Sequence, residues 1–451
     1  MNKKITGLLS ASIAAALLIP SLAHATLGMD LIGFGAKSRG MGGIGVAYGQ
    51  DSMSLAYNPA NAAKLGTRID LGLELFNVKM SVKHDSALLP VEDSNSPESI
   101  GSGKSEYENF PLPFMGFTET INEDLSWGVA LVGAGMLTSY DQSANDTFFN
   151  FGGLARSSVG VFLIRMQFLP TIAYEVDDDV TVGATLVVAA QGFKAKGLEA
   201  FGDLGFTSSP DNSLLTSNQW DMSYGVGIKL GVLWDATDDL TIGLNYSPRV
   251  DMSEFDRYSG LFAEQGDFDI AEEYALGINY KIGKKANISF EVWQVNYSDI
   301  KSLGNPGPNA ADLTDFNPLC PGADTPDCQL GGDNGLGFGW TDQTRYKLGG
   351  DFQYSDKLTL RAGWAYAKSP IPEDQVLFNL LAPATIENNL TLGATYDYDE
   401  SLEISVNYLH GFKNVIKGPT AFPPGSLPVE GSNAALAMSQ NALGFMLGFK
   451  F

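Results

Sequence analysis

The sequence predicts an all-β membrane protein: a 14-stranded antiparallel transmembrane β-barrel with a small N-terminal hatch, or plug, inside the lumen. Three observations carry that expectation. The chain opens on an export signal, and no later apolar run approaches the ~18 residues of a membrane-crossing helix. Long segments alternate apolar with polar or tiny residues at period two. The connections between those segments alternate strictly between short and long, as turns and loops on the two sides of an outer membrane do.

The export signal is residues 1–25. Lys3 and Lys4 form its positive start, Ile5 to Leu18 its apolar run, and Ala23-His24-Ala25 its cleavage site, so the mature chain is expected to begin at Thr26. Net charge is -24, and losing two lysines and no acids with the signal makes it -26. That balance excludes nucleic acid as a partner, because a surface that tracks phosphates is basic.

Residues 26–68 precede the first strand and are read as the plug. Seven glycines fall between Gly33 and Gly49, followed by "DSMSLAYNPANAAKL". Asp51 is suited to cap a short helix, and Asn58-Pro59 to cap and start a second. Gly40, Gly42 and Gly45 satisfy GxGxxG, yet no strand precedes them, so the dinucleotide-binding context is missing and no cofactor is expected.

Residues 69–451 are read as the barrel. In 220–234, Trp220, Met222, Tyr224, Val226, Ile228, Leu230, Val232 and Trp234 share one face, and a polar or glycine-rich series shares the other. A lipid-facing wall with an aromatic residue at each end and a polar lumen accounts for both faces. The same reading gives strands at 69–83, 106–120, 125–139, 156–176, 180–194, 219–234, 239–248, 268–282, 287–299, 342–354, 358–368, 387–397, 402–412 and 440–451. Phase slips at Leu75/Phe76 and Val292/Trp293 are read as bulges or as slight shifts in the strand limits. Short turns such as "NED" and "DDD" alternate with long loops at 84–105, 140–155, 195–218, 249–267, 300–341, 369–386 and 413–439. The last strand ends on Phe451, resembling the C-terminal assembly signal of outer-membrane barrels.

Cys320 and Cys328 lie in the longest of these loops. In an exported chain the pair reads as a local disulfide; metal binding is the alternative, disfavoured because no histidine is near, so no metal is expected. Only His84 and His410 remain after signal removal, with no neighbouring Ser/Asp pattern, and the chain is not expected to be an enzyme.

The glycine-rich stretch, an Asp and "YNPA" before the first strand, together with "FLPTIAYEVDDDVTVGATL", "AKGLEAFGDL" and "RAGWAYAKSPIP", resemble the FadL family (OmpP1/FadL/TodX) along the whole mature chain. The resemblance implies a monomeric barrel of the bacterial outer membrane that passes long-chain fatty acids or similar hydrophobic compounds. It further implies capture at outer loops, a lumenal pocket, movement of the hatch and lateral release where the third strand kinks. The partners are then a hydrophobic small molecule and the outer-membrane lipid and lipopolysaccharide around the barrel.

Candidate residues follow. Asn58, Pro59 and Ala60 are the hatch element expected to shift with ligand. Gly133, Ala134 and Gly135 are the expected kink and lateral exit, since two outward glycines permit a bend. Leu198, Phe201, Leu204, Phe206, Phe255, Tyr258, Leu261 and Phe262 lie on the loops that correspond to the family's capture groove. Candidates to meet a carboxylate are Lys194, which matches a basic position of the family, Arg345 and Lys347 on an inward phase, and Arg165. Each could instead pair with a lumenal acid such as Asp351 or Glu291. Uptake of aromatic or alkane hydrocarbons by a channel of the same family, and a structural or adhesive barrel without transport, are the alternatives.

Overall fold

A computed structural model describes residues 27–84, 101–140, 158–203, 207–209, 211–307, 325–376, 378–419 and 433–451. The signal at 1–25, Leu204, Phe206 and Cys320 lie outside the described residues. The wall is one antiparallel sheet of fourteen long strands in sequence order: β1 (Arg68–His84), β2 (Asn109–Thr120), β3 (Leu125–Leu137), β4 (Gly160–Glu175), β5 (Val180–Lys196), β6 (Asp221–Thr237), β7 (Leu240–Ser247), β8 (Glu273–Ile282), β9 (Ala286–Val295), β10 (Gln343–Ser355), β11 (Leu358–Ala367), β12 (Asn388–Asp397), β13 (Leu402–Pro419) and β14 (Asn433–Lys450). A further four-residue strand, Gly101–Lys104, continues the line of β2 and pairs with the upper end of β1. β14 closes the ring on β1, from Arg68 opposite Lys450 to His84 opposite Ala434. Closure leaves no free edge, the condition for a sheet to span hydrocarbon.

Period two sorts the side chains. On β6, Tyr224, Val226 and Ile228 are 60%, 65% and 50% exposed on the outer wall, whereas Ser223 and Lys229, on the alternate phase to either side of them, are buried in the lumen. In water such a wall would aggregate; in a bilayer it is the solvated face. Three of the tight turns share one device: Asn122, Asp177 and Asp399 each accept backbone N–H groups two and three residues on through their Oδ1. This explains the acidic, Asn-rich short connections, which hold the turn without a glycine.

The segment from Leu27 to Gly66 fills the barrel. Asp51 caps the 3₁₀ turn Ser52–Ala56 through Met53 N at 3.0 Å, and Asn58 caps Pro59–Lys64 through Ala60 N at 3.0 Å. The wall makes room for it with glycine: a Cβ on Gly231 would lie 1.9 Å from Asn58 Oδ1, and one on Gly183 would lie 2.4 Å from Ala60 N. Gly42, at φ +75°, lies against the Trp364 backbone and donates to Thr391 Oγ1 at 2.8 Å, so the GxGxxG stretch serves packing. Buried charge is matched across the plug–wall boundary. Arg39 pairs with Glu74, Lys37 pairs with Glu403, and Asp70 accepts from Ser52 N at 2.8 Å and from Arg68.

Four sequence expectations change. The eighth strand begins at Glu273 and not at 268, because Phe268 and Ala271 turn inward under the outer loops. The thirteenth continues to Pro419, past a register shift between Gly411 and Asn414 that inverts the alternation. The fourteenth starts at Asn433, where small outward residues blur the pattern. The phase slips at Phe76 and Trp293 are not bulges: both pairings run unbroken, and the two aromatics point inward, Phe76 under the Arg39 guanidinium and Trp293 under Lys347.

Candidate functional site

Two cavities occupy the lumen between plug and outer loops, and Met29 and Leu303 line both. The first is polar and centred on Asp30 of the plug. Arg345 Nη2 reaches Asp30 Oδ2 at 2.8 Å, Leu27 O at 2.9 Å and the Tyr297 hydroxyl at 2.7 Å. Arg165 approaches the other carboxylate oxygen at 3.5 Å, and the Tyr297 hydroxyl donates to Asp30 at 3.2 Å. Lys347 donates to Gly43 O at 3.0 Å and lies 4.7 Å from the Trp293 ring centroid. Lys229 spans Ala56 O at 2.7 Å and Glu273 at 2.9 Å. The cations that line this cavity are therefore matched by plug or wall groups, as buried charge requires.

The second cavity is apolar and is roofed by the outer loops. Phe193, Leu261, Phe262, Phe268, Trp340 and Phe378 are among its walls. Its apolar, aromatic lining suits a hydrophobic molecule.

Between β2 and β3 the wall is incomplete. β3 pairs with β4 along its whole length, from Leu125 opposite Tyr174 to Leu137 opposite Phe162. With β2 it pairs only from Thr120 opposite Ser126 to Met115 opposite Leu131. Extending that register would set Pro113 opposite Gly133 and Pro111 opposite Gly135. Val78 N donates to Glu108 O at 2.7 Å, so even-numbered residues of this strand face β1 and odd-numbered ones face β3. Pro111 and Pro113 thus stand where two N–H donors to β3 would be needed, and proline has none. The polar cavity is lined by Val132, Gly133 and Ala134, so it reaches the unpaired stretch.

Among the carboxylate candidates, the structure brings Arg345, Lys347 and Arg165 together around the plug. Lys194 is not among them: it lies on the outward phase of β5, over the Phe162 and Trp220 rings at 4.3 and 5.3 Å. Asp351 and Glu291 do not pair with these cations. Asp351 accepts from the Tyr48 hydroxyl at 2.7 Å, and Glu291 accepts Gly45 N and Val46 N at 2.7 and 2.6 Å. Leu261 and Phe262 line the apolar cavity, while Leu198, Phe201, Phe255 and Tyr258 are buried behind it in one cluster. Asn58 donates to Val46 O at 2.8 Å and to Val232 O of β6 at 3.0 Å, which makes Asn58-Pro59-Ala60 an anchor to the wall. Cys328 is disulfide-bonded.

Sequence reasoning missed Asp30, Lys229, Pro111, Pro113 and the cavity walls from 303 to 382. Lys229 was findable as a lone cation on the inward phase of β6. The spacing "PLP" inside a strand is itself an edge signal. Asp30 precedes any periodic segment, and nothing local distinguishes it.

Asp269 lines the polar cavity from the loop above β8, beside Asp267. Burial, and then the charge of Asp269, push the Asp267 carboxyl up to about 7, and burial raises Asp269 as well. Arg249, 3.4 Å from Asp269, opposes the rise, while Glu264 and Asp251 add to it. A folded-state pKa above the ordinary carboxylate value means that the closed loop holds its proton more tightly than the open one. Its contribution is complete below about pH 4 and is lost as pH rises through about 7. The hydrogen-exchange protection factors of Phe268 and Ile270, which remove the intrinsic pH dependence of exchange, are expected to be higher near about pH 5 than near about pH 8.5, with Asp267→Asn abolishing the difference. Equal protection factors at both pH values would remove this loop from any pH response.

A closed barrel, an internal plug and an apolar chamber define a plugged outer-membrane channel. The chain belongs to the outer membrane protein transport protein family (OMPP1/FadL/TodX), whose model matches residues 30–449. That family is one of transport proteins, not of enzymes, and places the chain in the bacterial outer membrane. A long-chain fatty acid transport protein of Escherichia coli O6:H1 is 24% identical over 228 residues, 46% of each chain, so the chain spans about half the length of that curated relative. The toluene transporter TodX of P. putida shares the fold at TM-score 0.65 and 18% identity, over 94% of this chain and 99% of that one. A Pseudomonas aeruginosa FadL homologue does so at TM-score 0.66 and 16% identity, over 96% and 100%.

Proposed function

We propose that the protein carries long-chain fatty acids or similar hydrophobic compounds passively across the outer membrane. Outer loops capture the ligand, the lumen binds it, the hatch rearranges, and the ligand leaves sideways between β2 and β3. The observation that carries this reading is the continuity of three features: the apolar chamber, the Arg345–Asp30–Arg165 cluster and the unpaired wall at Gly133. An alkyl chain fits the first, and a carboxylate competes with Asp30 for the second. Once Asp30 is displaced, the stretch from Leu27 to Gly33 loses its ion pairs and can withdraw from the path. Exit into hydrocarbon then needs no aqueous crossing.

Uptake of aromatic or alkane hydrocarbons is the second reading, supported by the matched state of the lumenal cations and by the fold shared with TodX. Labelled oleate and toluene uptake in cells with and without the gene separates the two. Oleate uptake is expected to depend on the gene. Asp30→Asn, which leaves Arg345 and Arg165 without their counter-charge, is expected to tighten oleate binding roughly tenfold, about 1.4 kcal/mol, with toluene unaffected. Gene dependence for toluene alone would move the assignment to hydrocarbons, and for neither would leave a structural or adhesive barrel.

A further inference from the structure

The outer wall carries a basic patch that the transport path does not use. Lys79 and Lys83 are outward and exposed at the upper end of β1, and Lys104 is outward on the neighbouring strand Gly101–Lys104. Lys413 and Lys417 are exposed at the upper end of β13. The register lines them up: Lys83 is opposite Ala435 of β14, which is opposite Lys417. In the row below, Lys104 faces Ser81, then Ala437 and Val415, and in the next Lys79 faces Ser439 beside the register shift at Gly411/Asn414. Strands lie about 4.8 Å apart, so Lys83 and Lys417 are about 10 Å apart at the backbone with only an alanine between them. The result is a shallow floor of Ala435, Ala437 and Ser439 rimmed by ammonium groups.

Three facts make this more than a scatter of surface lysines. The chain has net charge -24, with 28 lysines and arginines against 52 acids, so five lysines in one sector, with Glu106 and Glu108 only at its lower edge, run against its overall character. The ion-paired lysines among the described residues are Lys37, Lys64, Lys229, Lys301 and Lys450, and none of the five is among them. The sector is also one-sided: the outward residues at the same end of β6, β7 and β8 are Met222, Tyr224, Tyr246 and Tyr274.

Height identifies the occupant. Leu75 and Phe445 are 53% and 46% exposed in the apolar band, and Lys79 lies four residues above Leu75. That is about 14 Å along the strand, at the level where aromatic side chains such as Phe412 mark the lipid headgroups. The end is the one opposite the short turns, the extracellular side. We propose that this patch binds the phosphate groups of a phosphorylated glycolipid of the outer leaflet, the lipid A portion of lipopolysaccharide. Its acyl chains lie on Leu443, Phe445 and Leu75, and its phosphates bridge the lysine rims across Ala435 and Ala437.

The test uses purified full-length protein in detergent with three probes: bis-phosphorylated lipid A, the same lipid with its phosphates removed, and inorganic phosphate. Native mass spectrometry is expected to show bound bis-phosphorylated lipid A and little binding of the dephosphorylated form. Inorganic phosphate is expected not to displace the lipid. K79Q/K83Q/K104Q/K417Q is expected to weaken binding roughly tenfold or more, since each lysine at a charged lipid surface counts about 1 kcal/mol. K281Q/K284Q/K285Q, at the opposite end of the barrel, is expected to leave it unchanged. Equal binding of the two lipids by the wild-type protein overturns the proposal without recourse to any variant. So does a quadruple variant that keeps heat-modifiable mobility and full affinity. Displacement by inorganic phosphate would reassign the patch to the free ion.

Discussion

Replacing Gly133 and Gly135 with phenylalanine lowers ligand uptake roughly tenfold or more, equivalent to at least about 1.4 kcal/mol on the exit barrier, and leaves lumenal binding intact. The two glycines stand on the outward phase of β3, where the β2 ladder has already ended at Leu131. A Cβ on Gly133 would already meet Met166 Sδ at 3.1 Å and Leu112 Cδ1 at 3.3 Å, so an aromatic ring must occupy the opening itself. Flexible side-chain ends can yield to the first carbon, which keeps the barrel foldable. The complementary change restores the missing donors. Pro111→Thr with Pro113→Thr returns two N–H groups facing β3, each adding about 1 kcal/mol if the ladder zips upward. Uptake should fall in this variant too, while heat resistance rises. Normal uptake in both variants would mean that ligand leaves elsewhere, with transport itself still standing.

Glu291→Ala loosens the plug by about 3 kcal/mol without unfolding the wall. One carboxylate oxygen accepts both Gly45 N and Val46 N, at 2.7 and 2.6 Å, and the other accepts the Trp293 indole at 3.0 Å. Loss of the carboxylate leaves two buried backbone N–H groups and a buried indole N–H without their acceptor. Exchange of the Gly45 and Val46 amides should accelerate roughly a hundredfold, and cells should admit bulky hydrophilic antibiotics. Glu291→Gln keeps an acceptor and should recover part of the loss. Unchanged exchange in the alanine variant would show that the glycine contacts alone seat the plug.

The parts of this protein legible in the sequence are those that obey a local period. Tyr224, Val226 and Ile228 must face lipid because their neighbours are Ser223, Gly225 and Gly227, and one such strand predicts its kind. The alternation failed where an inward side chain was itself aromatic, at Phe76 and Trp293, because the period records polarity and the lumen at those points holds a plug rather than water. It failed again past Gly411, where a register shift exchanges the two faces.

The candidate site was legible only in part, and for a different reason. Arg345 and Lys347 could be placed inward from phase alone. That their partners are Asp30 and the carbonyl of Gly43 could not, since those residues are some 300 positions away and belong to a segment without period. Lys194 illustrates the converse. Its position matched a family pattern, but its phase on β5 sends it to the outer aromatic belt.

By itself, then, the sequence determined an exported, acidic, fourteen-stranded barrel with two classes of connection and a glycine-rich segment before its first strand. The tertiary structure alone decided where that segment's charges are answered, which loop residues wall the apolar chamber and that the β2–β3 ladder stops at Leu131. Secondary structure and facing follow from interactions within a few residues. Ion pairs, cavities and ladder ends depend on closure of the sheet, which brings β1 to β14 and the plug to every strand at once.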